Sequence, residues 1–495
     1  MDFSLDIKTL EHYKRLPVPG YINEFSAEAV VPDTQEDIAR VLTGVCTPLV
    51  HIKDVGGGRV NLSGDVAVTV LYIPESQSGT ASLDLKIPFT AGFETGDGAL
   101  PVTGVTVLGL EISLLNPRKI QAVAEVRVDA DCYVKDSLSW GAGIKETAAE
   151  LHVRKRTANF KTVSSVMEKT FTVSEELAMP PGKPSPGKIL ACTARLRIDD
   201  AQDVGTRLII KGAVLSGVSY VPKDGAGLEY AAFETPFSQL MDLPEEKPAG
   251  FYVTPMLTQA YADVTENDSG SGINLEVHGA AQTVYLRESE LEYIDDAYST
   301  LGELDAEYGS LQSETPLCAA PVHTSQHWTT ELSRPASQVV MTGIIPGAAE
   351  YSEGTISFPV TADIVYTGDD GNIYGERARL KCECPWEGGD PGRITAVAGE
   401  AAATASGISA DLRCQVDIYS FACEKSSVNA ISSLAQSDEK LYKTPRPSVT
   451  VVRCDSDDLW SAAKKYRSDP EKIAACSGIE DGESAYGRVL LIPKC

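Results

Sequence analysis

The sequence contains one β-hairpin pattern written three times, and this repetition restricts the possible folds more than any other feature. The three segments are residues 60–89, 208–237 and 356–386. Alternate residues of each first arm form one small or apolar face, as a strand requires because successive side chains point to opposite sides. Each face ends at a tyrosine and each return arm ends at a Pro-aromatic step: Gly64, Val66, Val68, Val70, Tyr72 and Pro88-Phe89; Gly212, Val214, Ser216, Val218, Tyr220 and Pro236-Phe237; Phe358, Val360, Ala362, Ile364, Tyr366 and Pro385-Trp386.

The spacing of these tyrosines predicts a repeat of domain size. Tyr72 and Tyr220 are 148 residues apart, and Tyr220 and Tyr366 are 146 apart. A unit of about 145 residues is an ordinary domain and is far longer than the ~20–50 residues of solenoid repeats. We therefore predict three copies of one β-rich domain. The proline of each return arm cannot donate to a strand ladder, so it should end its strand or lie on a sheet edge.

A second pair of apolar strands follows each hairpin, and a half-buried sheet needs a second apolar layer. Each copy should therefore close as a β-sandwich or an open barrel, and the sequence does not distinguish these two folds. We also expect a helix within residues 289–311. The predicted order is a lead-in over 1–20, β modules over 21–150, 165–288 and 289–425, a linker over 426–448 and a different domain over 449–495.

The charge of the chain excludes some classes of partner. The net charge is -27 and the 70 acidic residues outnumber the 43 basic ones. Binding to nucleic acid or to an anionic membrane surface needs clustered Lys and Arg, so neither is expected. Residues 1–20 contain no continuous apolar run, and no stretch reaches the ~20 apolar residues of a membrane span. We expect a cytosolic protein without membrane insertion.

The sequence contains no recognisable catalytic or metal-binding motif. The eleven cysteines have no CxxC spacing, and Cys382 and Cys384 lack a neighbouring cluster that would complete a metal site. His323 and His327 lie four apart without a third ligand. No nucleophile elbow, P-loop or dinucleotide-binding glycine motif is present. The expectation is a protein that is not an enzyme and needs no cofactor or metal.

The last 47 residues predict a small β-α-α-β domain. A strand at Val449–Val452 precedes Asp457 and Asp458, which suit the start of a helix. Asp469 suits the N-cap of a second helix, and Pro470 suits the first position of that helix. Gly478 ends that helix, and residues 489–493 form the closing strand. Trp460 is expected to supply much of this small core.

This tail resembles a LysM domain, a module that binds peptidoglycan and chitin. The similarity rests on residues 457–460, Lys465-Tyr466, Asp469-Pro470, Gly487 and residues 491–493. The resemblance implies binding of N-acetyl sugars, or of a partner, along the loops before the first helix and before the second strand. The residues of this sequence at those positions are Ser456, Asp457, Asp458, Ser477, Gly478 and Ile479.

The three long modules resemble SPOCS domains, the β-rich repeats of spore-forming Firmicutes. The hairpins ending at Tyr72, Tyr220 and Tyr366 carry this resemblance, together with the run Asp295–Thr300. SPOCS repeats followed by one LysM domain resemble a family of clostridial spore-coat morphogenesis proteins. That resemblance implies a protein of the mother cell, at the forespore surface, that contacts the ATPase forming the coat base.

Two functions remain open at this point. The first is a non-enzymatic scaffold or adaptor in spore coat assembly, which binds protein partners through the β modules and the LysM tail. The second is a cell-wall protein that binds peptidoglycan or N-acetylglucosamine glycans through the tail alone.

Overall fold

The computed structural model describes residues 3–18, 20–77, 79–145, 150–225, 227–267, 270–317, 321–440, 447–455, 458–480 and 483–494. These residues fold almost entirely into strands, as the sequence predicts. The elements are β1 (Leu5–Pro17), β2 (Tyr21–Val30), β3 (Ile38–Gly56), β4 (Arg59–Pro74), β5 (Ala81–Glu94), β6 (Leu100–Asn116), β7 (Lys119–Ile144), β8 (Leu151–Leu177), β9 (Pro186–Val204), β10 (Arg207–Pro222), β11 (Glu229–Asp242), β12 (Gly250–Asn267), β13 (Gly270–Ser299), β14 (Gly302–Pro316), β15 (Val322–Pro346), β16 (Glu350–Ser352), β17 (Thr355–Gly368), β18 (Ile373–Pro385), β19 (Arg393–Phe421), β20 (Cys423–Lys440), β21 (Val449–Arg453), α1 (Leu459–Tyr466), α2 (Pro470–Ser477) and β22 (Val489–Pro493).

The three predicted hairpins are present as β4-β5, β10-β11 and β17-β18. A further antiparallel strand, β3, β9 or β15, pairs with the first arm of each hairpin and makes a three-stranded meander. The three tyrosines are fully buried. Their ladder partners correspond from one meander to the next: Tyr72 pairs with Val41 and Ala81, Tyr220 with Ile189 and Glu229, and Tyr366 with Val339 and Tyr374.

The prolines of the return arms lie where their missing donor is tolerated. Pro88 and Pro236 lie within β5 and β11, and each of these strands is the last in its sheet. Pro385 is the final residue of β18, which pairs with β17 alone among the described strands. The predicted edge or end position is therefore confirmed at all three.

Each meander packs face to face with strands of a second layer, which makes a sandwich. In the first, Val66 to Tyr72 of β4 share one core with Ile120 to Val126 of β7. In the second, β10 shares a core with β8 and β13. In the third, β15 passes from one layer to the other, since it pairs with β19 through its first half and with β17 through its second.

Three predicted assignments along the chain are wrong. The lead-in 1–20 contains β1, which is antiparallel to β7 along its whole length. The expected helix within 289–311 is the end of β13 and most of β14. The linker 426–448 begins with β20, which pairs with β14 and buries Ile431 and Leu434, while residues 441–446 lie outside the described part of the chain.

A bulge explains why the segment from 289 has a helix-like pattern. Leu291 and Tyr293 are buried and alternate with exposed residues, as a strand requires. The register then shifts between Ile294 and Asp296, which inserts one extra residue and moves the following side chains to the other face. The apolar positions 291, 294 and 298 consequently have helical spacing although the backbone is extended.

The three meanders also meet one another. A shared cluster contains residues of β3, β4, β9, β15 and β17 and lies between the sandwiches: Leu42, Leu71, Ile73, Leu190, Ala191, Leu228, Met341 and Val365. The second layers of the first and second sandwiches form one continuous sheet, because β1 pairs with β8 at Tyr13 and Val163. The sandwiches are therefore packed together and do not form a string of separate units.

The tail has the predicted order of strand, two helices and strand. Asp458 caps α1 and accepts a hydrogen bond from the Trp460 amide at 2.9 Å. Asp469 caps α2 ahead of Pro470, and Gly478 ends that helix with a left-handed φ of 65°. No helix in the described residues is both long enough and apolar enough to cross a membrane.

Candidate functional site

The tail is held against the end of β13, in the segment Asp295–Thr300 that carries the SPOCS resemblance. Tyr298 is fully buried and belongs to the tail's own apolar core, with Ala463, Ile473 and Leu490. Its hydroxyl donates to the carbonyl of Ser468 at 2.6 Å. The small core of the tail is thus completed by a residue about 150 positions earlier in the chain.

Aromatic rings surround Tyr298 on both sides of the contact. Trp460 meets it edge-on with 4.9 Å between ring centroids, and His152 of β8 stacks on it at 5.0 Å. Trp460 is only partly buried, and its indole Nε1 donates to Asp296 at 2.9 Å. Trp460 packs against the tail core, as expected, and it also contacts the body through Asp296 and Tyr298.

Charged groups fix the same contact. Lys464 of α1 binds Asp296 at 2.5 Å, and Arg467 binds Glu303 at 2.5 Å. Burial alone raises the pKa of Asp296, but the bonds donated by Lys464 and Trp460 outweigh it and hold the pKa below the ordinary aspartate value. Asp296 is therefore ionised at neutral pH and ties α1 to β13.

Arg154 of β8 joins the body to the loop before α1. Its guanidinium binds Asp295 at 2.8 Å and Asp458 at 3.1 Å, and it lies 5.5 Å from the centre of the Trp460 ring. In the sequence, Arg154–Arg156 is a basic triplet whose pattern shows neither its strand nor its partners. The structure places this triplet in β8, opposite Asp295.

The predicted ligand-binding residues of the tail are largely engaged within the protein. Ser456 and Asp457 lie outside the described residues. Asp458 caps α1 and binds Arg154. The Ser477 hydroxyl accepts from the Leu491 amide at 2.9 Å, Gly478 supplies the helix end, and Ile479 is buried in the tail core.

A different surface of the tail is open. The outer face of the β21-β22 pair, with the neighbouring Tyr486, exposes five large apolar side chains whose exposed fractions run from 37% to 68%. Val451 and Leu491 are ladder partners, so this surface crosses both strands, and the exposed Arg453 lies at its end, opposite Val489. We call it the apolar strip: Val449, Val451, Tyr486, Val489 and Leu491. The alternating pattern of residues 489–493 predicts a strand, but it does not indicate which face of the strand packs on the core and which is exposed.

Three cysteines of the third unit are buried in its core. Cys382, Cys384 and Cys414 lie buried in the third core, and burial raises the pKa of Cys382 to about 12 and that of Cys414 to about 11. Such thiols are poor nucleophiles. His323 bonds to Asp417 at 2.7 Å, and in the described part of the chain no group of three His, Cys, Asp or Glu is arranged to hold a metal ion.

Comparison with known proteins matches part of the chain to a protein family. A family model described as "SipL, SPOCS domain" matches residues 186–265, which span β9 to β12 and include the second hairpin. This segment is therefore similar to a SPOCS domain. No curated protein and no solved structure matches the chain.

Proposed function

We propose that this protein is a non-enzymatic scaffold or adaptor in spore coat assembly, built from three SPOCS-type units and a LysM-type tail. The match of residues 186–265 to the SPOCS domain supports the sporulation context. The proposed location is the mother-cell side of the forespore surface, and the proposed partner is the coat-base ATPase.

The extension from one SPOCS unit to three rests on strand pairing. In each part of the chain a first strand, β1, β8 or β14, pairs with the long strand that closes the unit, β7, β13 or β20. The meander between them keeps its tyrosine opposite corresponding partners. Unrelated domains would not repeat both the order of pairing and the position of one buried residue.

The observation that carries the adaptor proposal is the apolar strip. An exposed, contiguous apolar face is typical of a protein-protein contact surface. Residues of the loops that would bind glycan in a LysM domain make contacts within this protein instead, since Asp458 binds Arg154 and Ile479 is buried. Contact with a protein is therefore better supported than contact with peptidoglycan.

The test is binding of the full chain to purified coat-base ATPase, measured by interferometry. Val451→Glu should weaken binding at least about tenfold, because a carboxylate in a buried interface loses its hydration without gaining a partner. Val30→Glu on β2 is the matched control, since Val30 and Val451 are both 62% exposed. Equal binding by both variants would remove the strip from the contact, and binding of the full chain to purified sacculi alone would favour the glycan function.

A further inference from the structure

The outer face of the β21-β22 pair carries one charged side chain. The odd-numbered residues, from 449 to 453 on β21 and from 489 to 493 on β22, point outward, because Leu490 and Ile492 of the alternate set are buried in the tail core. Five of these six outward residues are valine, leucine or proline, and the sixth is Arg453. Arg453 is exposed and its ladder partner is Val489. The apolar strip therefore ends at a guanidinium group.

Arg453 has no carboxylate partner among the described residues. Its Nε donates to the Gly487 carbonyl at 3.3 Å, and both terminal NH₂ groups are left without a hydrogen bond in that part of the chain. The other two arginines of the tail, Arg467 and Arg488, each bind a glutamate. A planar guanidinium with both NH₂ groups open can accept a carboxylate in bidentate fashion. Arg453 is thus the tail arginine with capacity for an acid from outside the chain.

A partner that covers the strip must deal with this charge. Taking a guanidinium out of water costs free energy unless a carboxylate pairs with it. An entirely apolar partner would leave Arg453 buried and unpaired, and a partner lysine at this point would repel it. Complete coverage of the strip therefore favours a partner with an acid opposite Arg453.

A second copy of this chain fits the strip poorly. The strip of another copy would offer apolar side chains and the same guanidinium, and neither can pair with Arg453. Each chain also carries a net charge of -27, so two copies repel each other. The chemistry of the face favours a different protein as its occupant.

We infer that the partner docks an amphipathic segment on the strip and that a carboxylate of this segment pairs with Arg453. Val449 and Arg453 lie four strand positions apart, or about 13 Å. The partner segment should therefore present an apolar run of about that length with an aspartate or glutamate at one end. Since the strip is the proposed adaptor surface, this partner chemistry rests on the proposed function.

The experiment measures binding of the full chain to purified coat-base ATPase by interferometry, with three substitutions of Arg453. Arg453→Gln removes the charge and should weaken binding about tenfold or more, as expected for loss of a charge-assisted hydrogen bond. Arg453→Glu should weaken it further, because it places two carboxylates together. Arg453→Lys keeps the charge and should lose less than Arg453→Gln. Arg413→Glu is the matched control, since it makes the same charge change at an exposed arginine on β19, and it should bind like the native chain.

The outcomes separate this partner chemistry from the adaptor function. Native binding that Arg453→Glu leaves unchanged would overturn the pairing with a carboxylate and leave the adaptor function standing. Absence of binding by the native chain would remove both. Sedimentation velocity of the chain alone should show a monomer, and a dimer that Val451→Glu dissociates would assign the strip to a second copy and overturn the inference. The α1 and α2 amides should keep native protection from hydrogen exchange in all three Arg453 variants, because Arg453 lies outside the tail core.

Discussion

Substitution of Tyr298 by alanine should release the tail from the body. The side chain is fully buried in the tail core, and its hydroxyl bonds to the Ser468 carbonyl at 2.6 Å. Removal of a buried aromatic ring costs about 3–5 kcal/mol, and a core of this size rarely supplies more than about 3–5 kcal/mol in total. The loss therefore matches the whole stability available to the tail.

Hydrogen exchange can separate this local effect from global unfolding. Amides of α1 and α2 should exchange on the order of a hundredfold faster in Tyr298→Ala, while those of β4 should keep their protection. Tyr298→Phe removes only the hydroxyl bond, worth about 1 kcal/mol, and should keep the tail folded. Tyr308→Ala is the control, because Tyr308 is 53% exposed on β14. Unchanged protection of α1 and α2 in Tyr298→Ala would refute the reasoning that the body completes the tail core.

Three further outcomes follow from buried or paired groups. Asp131, held by two arginines at 2.7 and 2.8 Å, should cost about 3 kcal/mol of unfolding free energy when changed to Asn, since Arg15 and Arg393 each lose one of their two carboxylate partners; Asp136→Asn, with a side chain 43% exposed on the same strand, should change the denaturant midpoint little. The pKa of Asp296 is lowered in the folded state, so its contribution to docking is complete above the unfolded-state pKa and is lost as pH falls through the folded-state value. Protection of α1 should consequently fall on acidification below about pH 4, and Asp296→Asn should reduce that acid dependence. Burial raises the pKa of Cys382 to about 12, so iodoacetamide at pH 8 should label the exposed Cys476 well before Cys382, as peptide mass spectrometry would report; equal rates would contradict the buried placement.

The parts of the fold that the sequence predicts are those with strong local signals. The alternation ending at Tyr72, Tyr220 and Tyr366 gives the hairpins, since one face of each strand is buried and period two is preserved. Asp469-Pro470 and Gly478 predict the limits of α2 because cap chemistry is local. Such signals need no knowledge of the rest of the chain.

The errors arise where the partner of a segment is distant. β1 and β20 are rich in polar residues, and their pairing with β7 and β14 depends on strands more than 100 residues away. The site is missed for the same reason. Nothing near Trp460 in sequence indicates that its indole bonds to Asp296, 164 residues earlier.

Differences at the ends of corresponding strands explain why one tail docks at one unit. Tyr298 pairs with His152 one step before the last pair of β13 with β8. The corresponding step of β7 with β1 pairs Gly143 with Asp6. Glycine has no side chain to fill the tail core, and no ring to meet Trp460 edge-on. The repeated framework thus supplies the strand end, and the residue placed there decides which unit holds the tail; Gly143 therefore leaves the first unit without the ring that Tyr298 gives the second.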